Sequence, residues 1–290
     1  MNIELPGPWT HRDVSAGGTR FHVAEQGEGP LVLLLHGFPE FWWSWHHQMG
    51  ALAAAGYRAA AVDLRGYGGS DKPPRGYDLV TLAGDAAGLV RALGEAGAVV
   101  VGHDWGGLLA WTMAVYHPKV VQRLVAVSAP HPLRVRRAVR TPWMAQALVN
   151  QLPVWPERRL TEFNAVRAAR LLERWSSPGW PDAVTERQVR AAVRIPGVAH
   201  CALEYHRWFL RSVLRPDGLR YAHRMAAPVH APTLHLHGAK DPALPVSVAQ
   251  GSGRYVDAPY TWKAVENAGH FPHEERPEAF NAELLAWLGR

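Results

Sequence analysis

The sequence predicts an α/β fold, a mostly parallel central sheet flanked by helices, with a block of helices inserted between two of its strands. Three observations predict it. Short, uninterrupted apolar runs recur from residue 31 onward. Helical patterns separate them. The alternation then stops from about residue 131 to residue 226 and resumes at Pro232. A continuous apolar run bounded by turns suits a strand covered on both faces, as a parallel sheet requires. Strand–helix alternation implies right-handed crossovers between such strands.

Taken in order, strands are predicted at 31–35, 58–62, 98–101, 124–127, 233–236 and 260–265. Helices are predicted near 43–54, 79–96, 105–117 and 275–288. The stretch 131–226 holds no convincing strand and reads as several helices rich in Arg, Trp and Pro. An all-helical insertion between two strands of one sheet reads as a lid over the C-terminal strand ends, where ligands bind in open α/β sheets. Residues 1–130 and 227–290 are therefore expected to form the core, and residues 131–226 a cap.

Composition narrows the function classes. With 48% hydrophobic and 19% charged residues the chain is globular in character rather than disordered. Its single cysteine, Cys201, allows no intrachain disulfide, so an oxidising compartment is not implied. The start, Met1-Asn2-Ile3-Glu4-Leu5-Pro6, lacks a basic region followed by an apolar run, so no secretory leader is expected. No apolar stretch nears the ~18 residues that span a bilayer. A cytoplasmic location and no membrane insertion are expected. The net charge is +6, but between His131 and Ala226 17 arginines face 7 acids. That segment carries +10 and the remainder −4. The arginines recur along helical patterns rather than in a dense run with interleaved aromatics, so a solvated basic surface is expected and a nucleic-acid partner is not.

The strongest local signal is Val101-Gly102-His103-Asp104-Trp105-Gly106-Gly107. It follows a predicted strand and opens a predicted helix. Small residues stand two before and two and three after Asp104. That spacing matches a nucleophile elbow, a tight strand-to-helix turn that lifts its central side chain out of the sheet. The central residue is aspartate rather than serine. The competing reading is that Asp104 caps the following helix. The second signal is His36-Gly37-Phe38-Pro39-Glu40, just after the strand at 31–35. With an elbow of this type, the oxyanion hole takes one backbone N–H from that loop and one from the residue after the nucleophile, here Phe38 and Trp105. The third signal is chain order, which places an acid and then a histidine downstream. Asp241 follows the strand at 233–236, and His270 follows the strand at 260–265, with His273 as the competing histidine. The strand ending at Val127 is followed by Ser128-Ala129-Pro130, without a carboxylate.

Together with the run Asp63-Leu64-Arg65-Gly66-Tyr67-Gly68-Gly69-Ser70-Asp71, these motifs make the chain resemble the epoxide hydrolase and haloalkane dehalogenase branch of the α/β-hydrolase superfamily, closer to the epoxide hydrolases. The resemblance covers roughly residues 10–288. It implies Asp104 as nucleophile, His270 as general base and Asp241 as its orienter. A carboxylate attacks an sp³ carbon in line, displaces oxygen or halide, and leaves an alkyl ester on the enzyme. The base then activates a water that attacks the ester. Epoxide opening to a vicinal diol is the expected reaction. The alternatives are haloalkane dehalogenation, another α/β-hydrolase activity, and a ligand-binding member without catalysis.

The lid departs from the pattern that the resemblance implies. Epoxide hydrolases protonate the opening ring with two lid tyrosines. By register the second falls at His206, beside Tyr205, and the first at Gln146. Adjacent helix residues point about 100° apart, so Tyr205 and His206 are not expected to face the site together. Three readings stay open: His206 donates with Gln146 or alone, Tyr205 donates through a register one residue different, or the chain has moved away from epoxides. Phe38 stands where a dehalogenase carries asparagine, which favours the epoxide side. Trp105 suits both activities. Trp42, Trp43 and Trp45 line the pocket or pack the first helix, and Trp175 and Trp180 are halide donors or lid packing. The histidines lack partners at metal-ligand spacing, and no glycine-rich phosphate loop with a lysine appears. No metal and no cofactor are expected. The expected partners are a small hydrophobic substrate and water, for a monomer or homodimer.

Overall fold

Apolar runs too short for helices pair edge to edge and bury both faces. In the computed structural model, which describes residues 3–289, eight strands form one sheet: β1 (Thr10–Ala16), β2 (Thr19–Gln26), β3 (Leu31–Leu35), β4 (Arg58–Val62), β5 (Ala98–His103), β6 (Val121–Val127), β7 (Thr233–Gly238) and β8 (Tyr260–Val265). Their order is β1-β2-β4-β3-β5-β6-β7-β8. β1 and β2 pair antiparallel, as do β2 and β4. Every pairing from β4 onward is parallel. Leu31, Leu33 and Leu35 enter the apolar cluster on one face, and Val32 and Leu34 the cluster on the other. That two-sided burial is why the run carries no polar residue; each such side chain contributes about 1.5–3 kcal/mol.

The helices are α1 (His46–Ala54), α2 (Leu79–Ala92), α3 (Asp104–Tyr116), α4 (Pro132–Arg137), α5 (Pro142–Val149), α6 (Trp155–Trp175), α7 (Ala183–Val193), α8 (Val198–Arg211), α9 (Pro216–Arg224), α10 (Val246–Ala249), α11 (Pro272–Glu275) and α12 (Pro277–Leu288). α4 to α9 all lie between β6 and β7. α6 breaks at residues 162–165, whose backbone leaves the helical region. None of the described helices is long and apolar enough to cross a membrane.

Several predicted boundaries shift. The first helical stretch starts with a 3-10 turn at Trp42–Trp45 before α1. The stretch predicted at 275–288 divides at Arg276, ahead of Pro277. The hairpin β1–β2 has no counterpart among the predicted strands. Its turn is Gly17-Gly18, both at positive φ, a two-residue turn that glycine permits. The reading of the N-terminal residues as lacking a leader falls partly on Met1 and Asn2, outside the described residues.

The chain reverses direction across the sheet at β3, with β4 on one side and β5 on the other. The crevice at the C-terminal ends of β3 and β5 is the switch point where α/β sheets bind ligands. It is bordered by the loop carrying Phe38 and by the turn carrying Asp104.

Candidate active site

Asp104 is the first residue of α3 and has φ +46°. A non-glycine residue in this region is strained, and the surroundings must hold it there. Glycine makes the turn possible. A Cβ on Gly102 would lie 2.1 Å from Gly106 O, and one on Gly106 would lie 2.1 Å from Leu35 O. The helix start therefore packs directly on β3 and β5.

The Asp104 carboxylate is 1% exposed. Its Oδ2 accepts the Phe38 backbone N–H at 3.0 Å. Its Oδ1 accepts the indole N–H of Trp143 at 2.8 Å. His270 Nε2 lies 3.7 Å from Oδ1. On the far side of the ring, His270 Nδ1 is 2.8 Å from Asp241 Oδ2. Asp241 Oδ1 in turn accepts the backbone N–H groups of Ala243 and Leu244 at 2.8 and 3.0 Å. The structure thus brings Asp104, His270, Asp241 and Phe38 together. Trp105 is the second residue of α3, where no carbonyl of its own helix reaches the backbone N–H.

Charge organises this cluster. Burial pushes the His270 imidazolium down, but the carboxylates of Asp241 and Asp104 outweigh it and hold the group up at about 10. Burial pushes both carboxyls up, yet His270 holds Asp104 and Asp241 below the usual range. The resting site is an imidazolium between two carboxylates.

Beneath it runs a second network. His103 Nδ1 meets Glu40 Oε2 at 2.6 Å, and the same oxygen accepts the Gly37 N–H at 2.9 Å. His103 Nε2 meets His270 O at 2.8 Å. One polar strut therefore ties the Phe38 loop, the elbow and the His270 loop. His273, the competing histidine, belongs to this strut, with Nε2 3.4 Å from Glu40 Oε1. Glu40, His103 and His273 also place three possible ligand atoms within 4.8 Å of one another, a grouping that sequence spacing did not reveal.

The helices between β6 and β7 roof the carboxylate with side chains other than those expected. Trp143, from α5, was missed by sequence reasoning. Thr141 caps α5 through the Met144 N–H, and Pro142 occupies its first turn. This start signal places Trp143 one turn before Gln146, on the same face. Gln146 does not reach Asp104; its side-chain amide donates to Asn150 Oδ1 at 2.9 Å. Tyr205 does not either. Its hydroxyl donates to Arg65 O at 2.7 Å, while its ring packs on that of Trp105 at 5.7 Å. His206 takes the inward position, its ring 4.9 Å from that of Phe38 and 4.8 Å from that of Trp105. Its Nε2 accepts the Trp105 indole N–H at 3.3 Å, leaving Nδ1 to donate to Ala202 O at 3.4 Å. Burial pushes its imidazolium down to about 4. His206 is therefore neutral at rest, with its proton turned back along its own helix. Trp175 stacks edge-on against His270 and accepts the His270 N–H through its carbonyl. Trp180 stacks on Phe271. Trp42 and Trp45 are core residues behind the sheet.

A cavity of about 440 Å³ opens between α5, both halves of α6, and α8, with Phe38 among its lining residues. Asp104 does not line it, because Trp143 and His206 cover the carboxylate.

Residues 30–277 match the protein family described as alpha/beta hydrolase fold. The chain is 34% identical to epoxide hydrolase 3 of Xenopus tropicalis over 285 aligned positions, covering 93% of this chain and 75% of that protein. It is 31% identical to epoxide hydrolase A of Mycobacterium tuberculosis over 320 aligned positions, covering 97% and 98%. The crystal structure of epoxide hydrolase A from Mycobacterium thermoresistibile superposes with a TM-score of 0.85 at 29% identity, covering 97% of this chain and 98% of that one.

Proposed function

Because the chain belongs to the α/β hydrolase fold family, in its epoxide hydrolase-like branch, we propose that it hydrolyses epoxides to vicinal diols through a covalent ester on Asp104. The observation that carries this reading is a buried aspartate at a strained elbow, paired with His270 and Asp241. A serine esterase has no use for a carboxylate there, since attack on an ester gives a mixed anhydride.

In the first step, Asp104 Oδ1 attacks an epoxide carbon while Oδ2 stays on the Phe38 N–H. The ring C–O bond breaks, and the ring oxygen departs beneath Trp143 and His206. The hydrogen bond from the Trp143 N–H shifts from Oδ1 to that oxygen and stabilises its charge. An indole does not surrender its proton, so the His206 Nε2–H completes the hydroxyl, and the imidazolate left behind takes the proton of the His270 imidazolium, which has lost its second carboxylate partner. For that His206 must carry its hydrogen on Nε2, the tautomer that Trp105 disfavours at rest. In the second step Asp104 is a neutral ester. His270 has lost one of its two carboxylate partners, burial lowers its pKa, and with its proton passed on to His206 it becomes a base for water. The ester oxyanion then takes the N–H groups of Phe38 and Trp105. Residues 131–226 act in this reading as the cap, and residues 1–130 and 227–290 as the core.

A second reading, haloalkane dehalogenation, is favoured by one observation. The indole N–H groups of Trp105 and Trp143, on rings 5.3 Å apart, suit a halide, which needs donors but no proton. Assaying diol formation from styrene oxide and aliphatic epoxides beside halide release from matched haloalkanes decides between the two. Diol without halide supports the first reading, and halide release without diol replaces it with the second.

A further inference from the structure

The helices between β6 and β7 keep an apolar surface that no other part of the chain covers. Among the described residues, every exposed large hydrophobic side chain lies between residues 139 and 219. Six of them follow closely in sequence. Leu148 and Val149 end α5, Leu152 and Val154 stand in the turn after it, Trp155 opens α6, and Phe163, 81% exposed, marks its break. Val154 and Phe163 hold positive φ, a region where a β-branched or bulky residue is an outlier, so the turns themselves do not call for these side chains. Gln151, within this ridge, is held by Arg211 from the end of α8 at 3.1 and 3.2 Å, which brings Leu214, 90% exposed, to the same side. A cluster of exposed apolar side chains marks an interaction face. The surroundings are basic. Val149 and Trp155 line the cavity mouth together with Arg159, Arg167, Arg170 and Arg174. Among the described residues none of these four arginines forms an ion pair; Arg159 lies over the Trp155 ring at 4.2 Å, and the nearby Glu157 is taken by Arg207 at 2.7 Å.

Apolar side chains beside unpaired cations narrow the choice of partner. A second copy would set two helical blocks against each other, each with 17 arginines against 7 acids, and like charges repel. A nucleic acid would satisfy the arginines and leave the leucines and Phe163 in water. An anionic bilayer satisfies both, because its headgroup phosphates pair with guanidinium groups and its acyl boundary takes leucine, tryptophan and phenylalanine. We propose that the chain docks on anionic lipid surfaces through the ridge at 148–163, lying on the bilayer without spanning it. Charge orients the molecule: residues 131–226 carry +10 and the remainder −4, so a negative surface draws the helical block towards it and turns the rest of the molecule away. Docking does not depend on the chemistry at Asp104.

The test is co-sedimentation of the intact chain with vesicles of phosphatidylcholine alone and of phosphatidylcholine mixed equally with phosphatidylglycerol. The anionic vesicles bind at least about tenfold more tightly. The difference fades as salt rises from about 0.1 M to about 1 M, which shortens the screening length from about 10 Å to about 3 Å. Substituting Leu152→Ser and Phe163→Ser together, at two exposed positions, lowers affinity for the anionic vesicles about tenfold at unchanged Tm. R170S/R174S, which also changes exposed side chains, lowers it by a similar factor and leaves the weak binding to phosphatidylcholine alone. Equal binding to the two compositions overturns the proposal. So does an affinity unmoved by the Leu152 and Phe163 substitutions, which means adsorption by charge alone. A concentration-dependent dimer in solution that those two substitutions dissolve also overturns it, because the ridge then covers a second copy.

Discussion

At the scale of single residues, the site depends on which groups share the charge of Asp104. Trp143 donates to Oδ1 and Phe38 to Oδ2, so each oxygen has one fixed donor. A hydrogen bond to a charged group is worth about 1.5–3 kcal/mol. Trp143→Phe keeps the ring and removes the N–H, so kcat for epoxide opening drops about tenfold to about a hundredfold, with a smaller change in KM. An unchanged kcat means that the leaving oxygen is held elsewhere. His270 offers a second measurement. Two carboxylates raise its pKa to about 10 against the opposing effect of burial. Asp104→Asn removes one carboxylate and leaves the burial, so the pKa read by NMR titration of the His270 ring falls well below that value. In the proposed cycle the same fall accompanies ester formation and frees His270 to act as a base. A His270 pKa unmoved by the substitution contradicts that sequence of events.

At the scale of elements, the elbow is a packing solution before it is a chemical one. The start of α3 approaches β3 so closely that Gly106 has no room for a side chain. Gly106→Ala therefore costs about 2–4 kcal/mol in denaturant unfolding. Gly84→Ala, in the open middle of α2 with nothing within 4 Å, stabilises by about 0.5–1 kcal/mol. Equal effects at the two positions would remove close packing as the reason for the glycine. These elements also mark where sequence is informative. The strands at 31–35 and 58–62 were legible because burial on both faces leaves an unbroken apolar run. β1 was not, since its exposed and buried residues mix, and only Gly17-Gly18 announced the turn. Asp241 and His270 were legible from chain order. Trp143 was not, because its partner lies 39 residues away and its direction depends on where α5 begins. Tyr205 and His206 are neighbours that no periodicity of α8 told apart. Packing decided between them by turning Tyr205 to Arg65.

At the scale of the whole molecule, the helices between β6 and β7 are joined to the sheet through a few polar seams. One runs from Tyr205 to the carbonyl of Arg65, whose guanidinium forms a two-pronged pair with Asp85 at 2.7 and 2.8 Å. Tyr205→Phe removes a buried hydrogen bond and costs about 1 kcal/mol of stability, read as a lower Tm, while kcat stays within about twofold because the hydroxyl is committed to Arg65 O. A large loss of kcat without loss of Tm would return Tyr205 to the reaction. Another meets His270, whose backbone N–H is held by Trp175 O and whose carbonyl is met by His103, so His270 is positioned by both layers. The covalent route through Asp104 is tested most directly by the intact mass of the chain carrying His270→Gln, acid-quenched after mixing with a terminal epoxide. Addition of a carboxylate to an epoxide loses no atoms. The chain therefore gains the full mass of the substrate, and peptide mapping finds that mass on Asp104. Diol formation at the wild-type rate with no gain in mass would contradict the covalent route.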